Sequence, residues 1–184
     1  MWALVESGSI TKIFYNPEQV KIADIQYPSN IMTLWSDTEL KAIGIYPVIQ
    51  DNSNYKNPEY YTNTNQSFDY DSSANTVTAS YGTATAKSLD DYTKTVGSVT
   101  TTYPGLKTQH KEDVDGQAYS LLLPSDWMVV RNAESSKAIP SDWLDYRVAV
   151  RTAATDMKTK INAVANVDAL AALYAYSGDP ATRP

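Results

Sequence analysis

Cysteine is absent from this chain of 184 residues, and histidine occurs once, at His110. The first absence removes disulfide frameworks, thiolate zinc sites and thiol nucleophiles, and the second removes histidine clusters, so no catalytic residue, metal site or cofactor is expected. The seven glycines are scattered, and neither G-x-x-x-x-G-K-[ST] nor G-x-G-x-x-G occurs, which leaves a nucleotide phosphate without a cradle. Runs of Lys or Arg are also missing. With a net charge of −6 and a pI of about 4.7, the chain is a poor match for nucleic acid or an anionic membrane surface. No stretch approaches the roughly 18 to 20 apolar residues of a membrane span. Met1 leads straight into Trp2-Ala3-Leu4-Val5-Glu6, without the charged and apolar regions of a secretory leader, so the expected compartment is a cytosol.

What is present suits a packed protein: 42% of residues are hydrophobic and 20% charged, enough for a core without extra staples. Three segments differ in character. Residues 1–50 carry strand-like runs at Trp2 to Val5, Ile10 to Tyr15 and Val20 to Ile25, the first two joined by Glu6-Ser7-Gly8-Ser9 as a hairpin connection. Ser36-Asp37-Thr38-Glu39 has capping-box spacing and predicts a two-turn helix stopped by Gly44, followed by a strand from Ile45 to Ile49. Residues 51–103 become rich in Asn, Thr, Ser and Tyr, too aromatic for a typical disordered tail. Alternation at Val77, Ala79 and Tyr81 predicts a hairpin of Gln66 to Tyr70 with Thr76 to Lys87 around the turn 71–75, flanked by surface loops at 51–65 and 88–104.

From residue 104 the period becomes helical. Leu106, His110, Val114, Ala118 and Leu121/Leu122 form one stripe on a helix expected to end before Pro124. The tetrapeptide Pro-Ser-Asp-Trp then occurs twice, at 124–127 and 140–143, each time ahead of apolar residues at helical spacing. A Ser or Asp at an N-cap accepts free backbone N–H groups, and acid favours the positive end of the helix dipole, so both copies read as helix starts. The second opens the longest helix, where Trp143, Tyr146, Val150, Ala153, Met157, Ile161 and Val164 step by threes and fours like a coiled-coil seam. A last helix is expected after a cap at Asn166, ended by Ser177-Gly178-Asp179-Pro180 with frayed residues beyond. The expected fold is therefore α+β, with a β-rich half, a protruding Tyr-rich hairpin, and three to four C-terminal helices whose core centres on Trp127, Trp143, Val150 and Met157.

Few residues carry chemistry. His110 lies on the apolar stripe beside Glu112 and Asp113, without a Ser or Cys partner motif, and reads as a structural histidine. The acid pairs Asp69/Asp71, Asp90/Asp91 and Asp113/Asp115 lack EF-hand spacing and read as solvated faces. Two groups are candidates for binding a protein partner. Tyr60, Tyr61, Phe68, Tyr70 and Tyr81 lie in a polar segment with the composition of an adaptable paratope, against which stands plain hairpin packing. Arg147 and Arg151 lie one turn apart on the seam's flank, placed either for internal ion pairs or for a bidentate grip on a partner's carboxylate.

Residues 125–131, Ser-Asp-Trp-Met-Val-Val-Arg, and 138–151, Ala-Ile-Pro-Ser-Asp-Trp-Leu-Asp-Tyr-Arg-Val-Ala-Val-Arg, resemble the C-terminal region of phage tail-fibre assembly proteins, the tail assembly chaperones. That pattern is close to D-W-x-x-x-R, a linker with Pro, then W-x-x-Y-R-x-x-[LV]-R. The opening Met1 to Val5, Asn16-Pro17 and the run from Leu34 to Leu40 ahead of Gly44-Ile45-Tyr46 are similar to N-terminal segments of phage tail-associated proteins. The resemblance implies a non-enzymatic protein that binds a tail-fibre chain in the host cytoplasm during phage assembly. A permanent component of the virion tail, fibre or baseplate fits the same features, and homo-oligomers are compatible with both.

Overall fold

The computed structural model describes residues 1–175, and the end of the last helix expected at 177–180 lies outside them. The chain divides into two compact units, Met1–Thr85 and Ala86 onward, and belongs to the α+β class. The divisions expected at 50/51 and 103/104 differ from this boundary. The first falls inside a strand, and the second separates a hairpin from the helix on which its base is fixed.

In the first unit, β1 (Trp2–Glu6) and β2 (Ser9–Phe14) form an antiparallel hairpin. Its two-residue loop has positive φ at both Ser7 and Gly8 (52° and 79°), the geometry that matches strand twist. The run 20–25, expected as one strand, is instead a small hairpin of β3 (Val20–Ile22) and β4 (Ile25–Tyr27), because Ala23 turns the chain at φ 50°. A four-residue helix α1 (Ile31–Leu34) precedes α2 (Asp37–Ala42). The box that starts α2 is complete: Ser36 Oγ accepts from the Glu39 N–H, and Glu39 Oε2 accepts from the Ser36 N–H at 2.8 Å. Gly44 follows at φ 86°, and a Cβ there would sit 2.8 Å from the Val5 carbonyl oxygen, so this stop admits glycine alone without strain.

Strand β5 (Ile45–Asp51) pairs with β1, and after β6 (Tyr61–Thr62) the chain forms β7 (Gln66–Asp71) and β8 (Thr76–Tyr81). The expected hairpin of β7 and β8 is present, although β8 ends at Tyr81 and not at Lys87. It does not protrude. β8 pairs with β5 in parallel, Val48 opposite Val77, which builds the hairpin into one sheet of order β2-β1-β5-β8-β7. Alternation sends side chains to both faces. Leu4, Phe14 and Ile45 join Val20, Ile31, Met32 and Leu40 on one, while Ala3, Tyr46 and Val77 pack with Val5, Ile13, Val48 and Tyr70 on the other.

The boundary between the units falls within the two-residue strand β9 (Thr85–Ala86). The stretch 88–104, expected as a loop, contains the hairpin of β10 (Tyr92–Val96) and β11 (Val99–Tyr103). Next comes α3 (Leu106–Ser135), which runs uninterrupted through Pro124 for 30 residues. The first Pro-Ser-Asp-Trp is therefore no helix start. α4 (Ser141–Ala163) does begin at the second copy, but Pro140 occupies the cap position and Ser141 makes no capping bond, donating instead to Asp142 Oδ1. α5 (Val167–Tyr174) is capped as expected, with Asn166 Oδ1 accepting the Ala169 N–H at 2.8 Å. Among the described residues no helix is long and apolar enough to cross a membrane.

Candidate protein-binding surfaces

The aromatic residues singled out in the sequence are mostly structural. Tyr60 is buried, and Tyr61, Phe68, Tyr70 and Tyr81 are half-buried. Phe68 and Tyr70 stand opposite Ala79 and Val77 on β8, so their rings complete the sheet's packed face. Tyr70 also stacks edge-on against Tyr46 with centroids 5.1 Å apart. The two hydroxyls lie 3.2 Å apart, and that hydrogen bond, with burial, pushes the Tyr46 phenol up to about 12. Tyr81 packs on Tyr55 at 4.9 Å, and the ammonium of Lys56 sits 4.4 Å above the Tyr61 ring. Hairpin packing accounts for Phe68, Tyr70 and Tyr81, while Tyr60 is buried outside the hairpin and Tyr61 lies on β6.

Arg147 and Arg151 do not act as a pair. Arg151 is exposed, whereas Arg147 is buried. Its Nη2 meets Asp126 Oδ1 at 2.8 Å, and its Nη1 donates to the Leu122 carbonyl at 3.0 Å and to Ser125 Oγ. The donors expected to grip a foreign carboxylate hold α4 to α3. The Ser125-Asp126 of the first tetrapeptide thus meets Arg147, the end of the Trp-x-x-Tyr-Arg run that starts at the last residue of the second. Arg131, four residues beyond Trp127, lies over that indole at 4.7 Å.

The core expected around four large residues is also displaced. Trp127 is 54% exposed and Trp143 36%, while Val150 and Met157 are half-buried. The residues buried on the helices are Leu106, Val114, Met128, Ile161, Val167 and Leu170, joined by His110, Ser125 and Arg147. His110 sits in this interior with its ring 4.8 Å from that of Tyr174, as the structural reading expects. Among the described residues no cluster of three or more His, Cys, Asp or Glu is placed to share a metal ion.

Two open surfaces remain on the second unit. The first is the β10–β11 hairpin, in which every residue is exposed. It is a two-stranded sheet, so each strand leaves one edge unpaired. Tyr92 and Tyr103 stack at its base with centroids 5.5 Å apart, and Thr95 and Thr100 hydroxyls hydrogen-bond across it at 2.9 Å. The base is fixed to α3: the Leu106 and Lys107 N–H groups donate to the Ser88 and Leu89 carbonyls, both at 2.9 Å, and Asp91 Oδ1 accepts the Gly105 N–H at 2.8 Å. That bond, followed by one from Thr108, holds the Asp91 carboxyl below the usual carboxylate range. A Cβ on Gly105 would collide with the backbone of Leu89 and Asp90. Sequence signals for this hairpin exist: two runs of Thr, Val and Tyr flank Gly97-Ser98, and Gly97 takes φ 63°.

The second surface is an apolar groove between α3 and α4. One stretch, of about 410 Å³, is lined by Leu121, Pro124, Trp143 and Tyr146 with Ser120 and Asp142. Leu121 and Tyr146 also line the next stretch, of about 390 Å³, with Ala118, Val150, Ala153 and Met157. No protein-family model, curated protein or solved structure matches the chain.

Proposed function

We propose that this is a non-enzymatic, phage tail-associated protein that binds a tail-fibre chain in the host cytoplasm and assists its folding, assembly or attachment. The resemblance over about 121–152 motivates the reading, and the open β10–β11 hairpin is the observation that carries it. Fibre chains that have not yet trimerised expose long strand edges, which aggregate unless covered. A hairpin with free edges, an uncharged Thr-rich surface apart from Lys94, and an anchored base is suited to add a strand to such an edge. The stacked Tyr92 and Tyr103 supply the aromatic contact area in which interface energy concentrates.

Co-expression with a candidate fibre gene tests this. Tyr92→Ala, Tyr103→Ala and Val99→Lys change exposed side chains, so they should leave the thermal transition in place while lowering soluble fibre yield and weakening pull-down by about ten-fold or more. Normal fibre yield from all three would remove the hairpin from the binding role. Mass spectrometry of purified virions separates a transient assembly factor, scarce in the particle, from a permanent component of fixed copy number.

A further inference from the structure

We infer that the groove between α3 and α4 is a homodimer interface, filled by α4 of a second copy running antiparallel. Five of the seven seam residues, Trp143, Tyr146, Val150, Ala153 and Met157, step by 3, 4, 3 and 4 along one face of α4, and these five line the groove. An apolar trough flanked by two helices and extending along about four turns of α4 fits a third helix better than a loop or a small ligand. Among the described residues the seam has no such occupant, since Trp143 and Tyr146 remain 36% and 40% exposed.

Size and charge along α4 select the second copy and its direction. The bulky seam residues, Trp143 and Tyr146, lie in the N-terminal half, and small Ala149, Ala153 and Ala154 lie in the centre and beyond. Antiparallel pairing with the two-fold axis between Val150 and Ala153 sets the aromatic half of each helix against the Ala153–Met157 stretch of the other, where there is room for rings. Asp142 in the first turn and Lys160 in the last fall on the same flank of the seam, at helical angles that coincide after 18 residues. The antiparallel arrangement therefore sets Asp142 of each copy beside Lys160 of the other, at both ends. Parallel helices would oppose Asp to Asp and Lys to Lys, and ring to ring. This interface is separate from the β10–β11 hairpin and does not depend on the fibre reading.

Sedimentation equilibrium of the full chain tests it between about 1 and 100 µM, a range in which mass action reports a dimer of ordinary affinity. The expected mass is twice the 20.3 kDa of one chain. Ala153→Glu, at an exposed position on the groove wall, should give a monomer with unchanged helical circular dichroism. Asp142→Lys and Lys160→Asp should each raise the dissociation constant by about ten-fold, and the double exchange should restore it, as opposite charges meet again. A wild-type chain that stays monomeric at 100 µM, an Ala153→Glu dimer, or a double exchange no better than the single changes would overturn the inference.

Discussion

Arg147 joins α4 to α3 through Asp126, Leu122 and Ser125, yet in sequence it reads only as a residue on the seam's flank. Its guanidinium is half of an ion pair with Asp126 and also serves the Leu122 carbonyl, two residues before Pro124. Removing it leaves Ser125 buried, and Asp126 without its cation. Arg147→Ala should accordingly cost about 2–4 kcal/mol in urea unfolding, because one partner of a buried network is lost while the others stay. Trp143→Ala should cost the monomer less, about 2 kcal/mol, since a third of its side chain already lies in water and only the remaining two thirds lose burial. The opposite ranking would mean that Trp143 anchors the core and Arg147 is dispensable. Large aromatic residues just past a helix start normally turn inward, which is why the sequence points to Trp143. What it does not display is that the α3–α4 contact is built around a charged clasp, a choice made by residues 21 positions apart.

At the scale of elements, signals confined to a few residues were legible and those requiring a distant partner were not. The capping box at Ser36 and Glu39, the Gly44 stop, the cap at Asn166 and the β7–β8 hairpin all follow from neighbours in sequence. Pro124 misleads for a physical reason: it removes one N–H and crowds the preceding turn, but a long helix packed on both sides of the proline tolerates that loss. The β10–β11 hairpin escaped because its strands show no alternation of burial, and with neither face covered there is no apolar period to find. Its hold on α3 makes it pH-dependent. Asp91 has a folded value below that of an ordinary carboxylate, so the stabilisation it contributes is complete above about pH 4 and is lost as pH falls through the lowered value. Amide exchange in residues 92–103, corrected for intrinsic rate, should quicken as pH is lowered from about 6 to below 4, and Asp91→Asn should abolish that dependence. Gly105→Ala should loosen the same amides at every pH, because its methyl displaces the 89–90 backbone. A wild-type hairpin whose protection ignores pH would show that Asp91 does not hold it.

For the whole molecule, composition and architecture divide the chain at different places, and the difference has a consequence that fragments can reveal. The Asn- and Tyr-rich character begins near residue 51, but the first compact unit continues to Thr85 because β8 pairs in parallel with β5 and carries Val77 and Ala79 into the interior. A parallel pairing across some thirty residues leaves no local mark, while a change in surface composition is conspicuous, so sequence reading cuts inside the sheet. A chain of residues 1–85 should fold alone, with a cooperative thermal transition and dispersed amide resonances, because both apolar clusters lie within it. A chain of residues 1–50 should not. It retains the cluster around Phe14 and Leu40, yet loses Val77 and Tyr70, exposing Ala3, Tyr46 and Val48 along one whole face of a three-strand sheet and leaving β5 with an open hydrogen-bonding edge. Broad, concentration-dependent spectra are expected from it. If the 50-residue fragment instead melts cooperatively as a monomer, the sheet's second face is dispensable and β7 and β8 are an appendage; if the 85-residue fragment fails to fold, the first unit draws its stability from residues beyond Thr85.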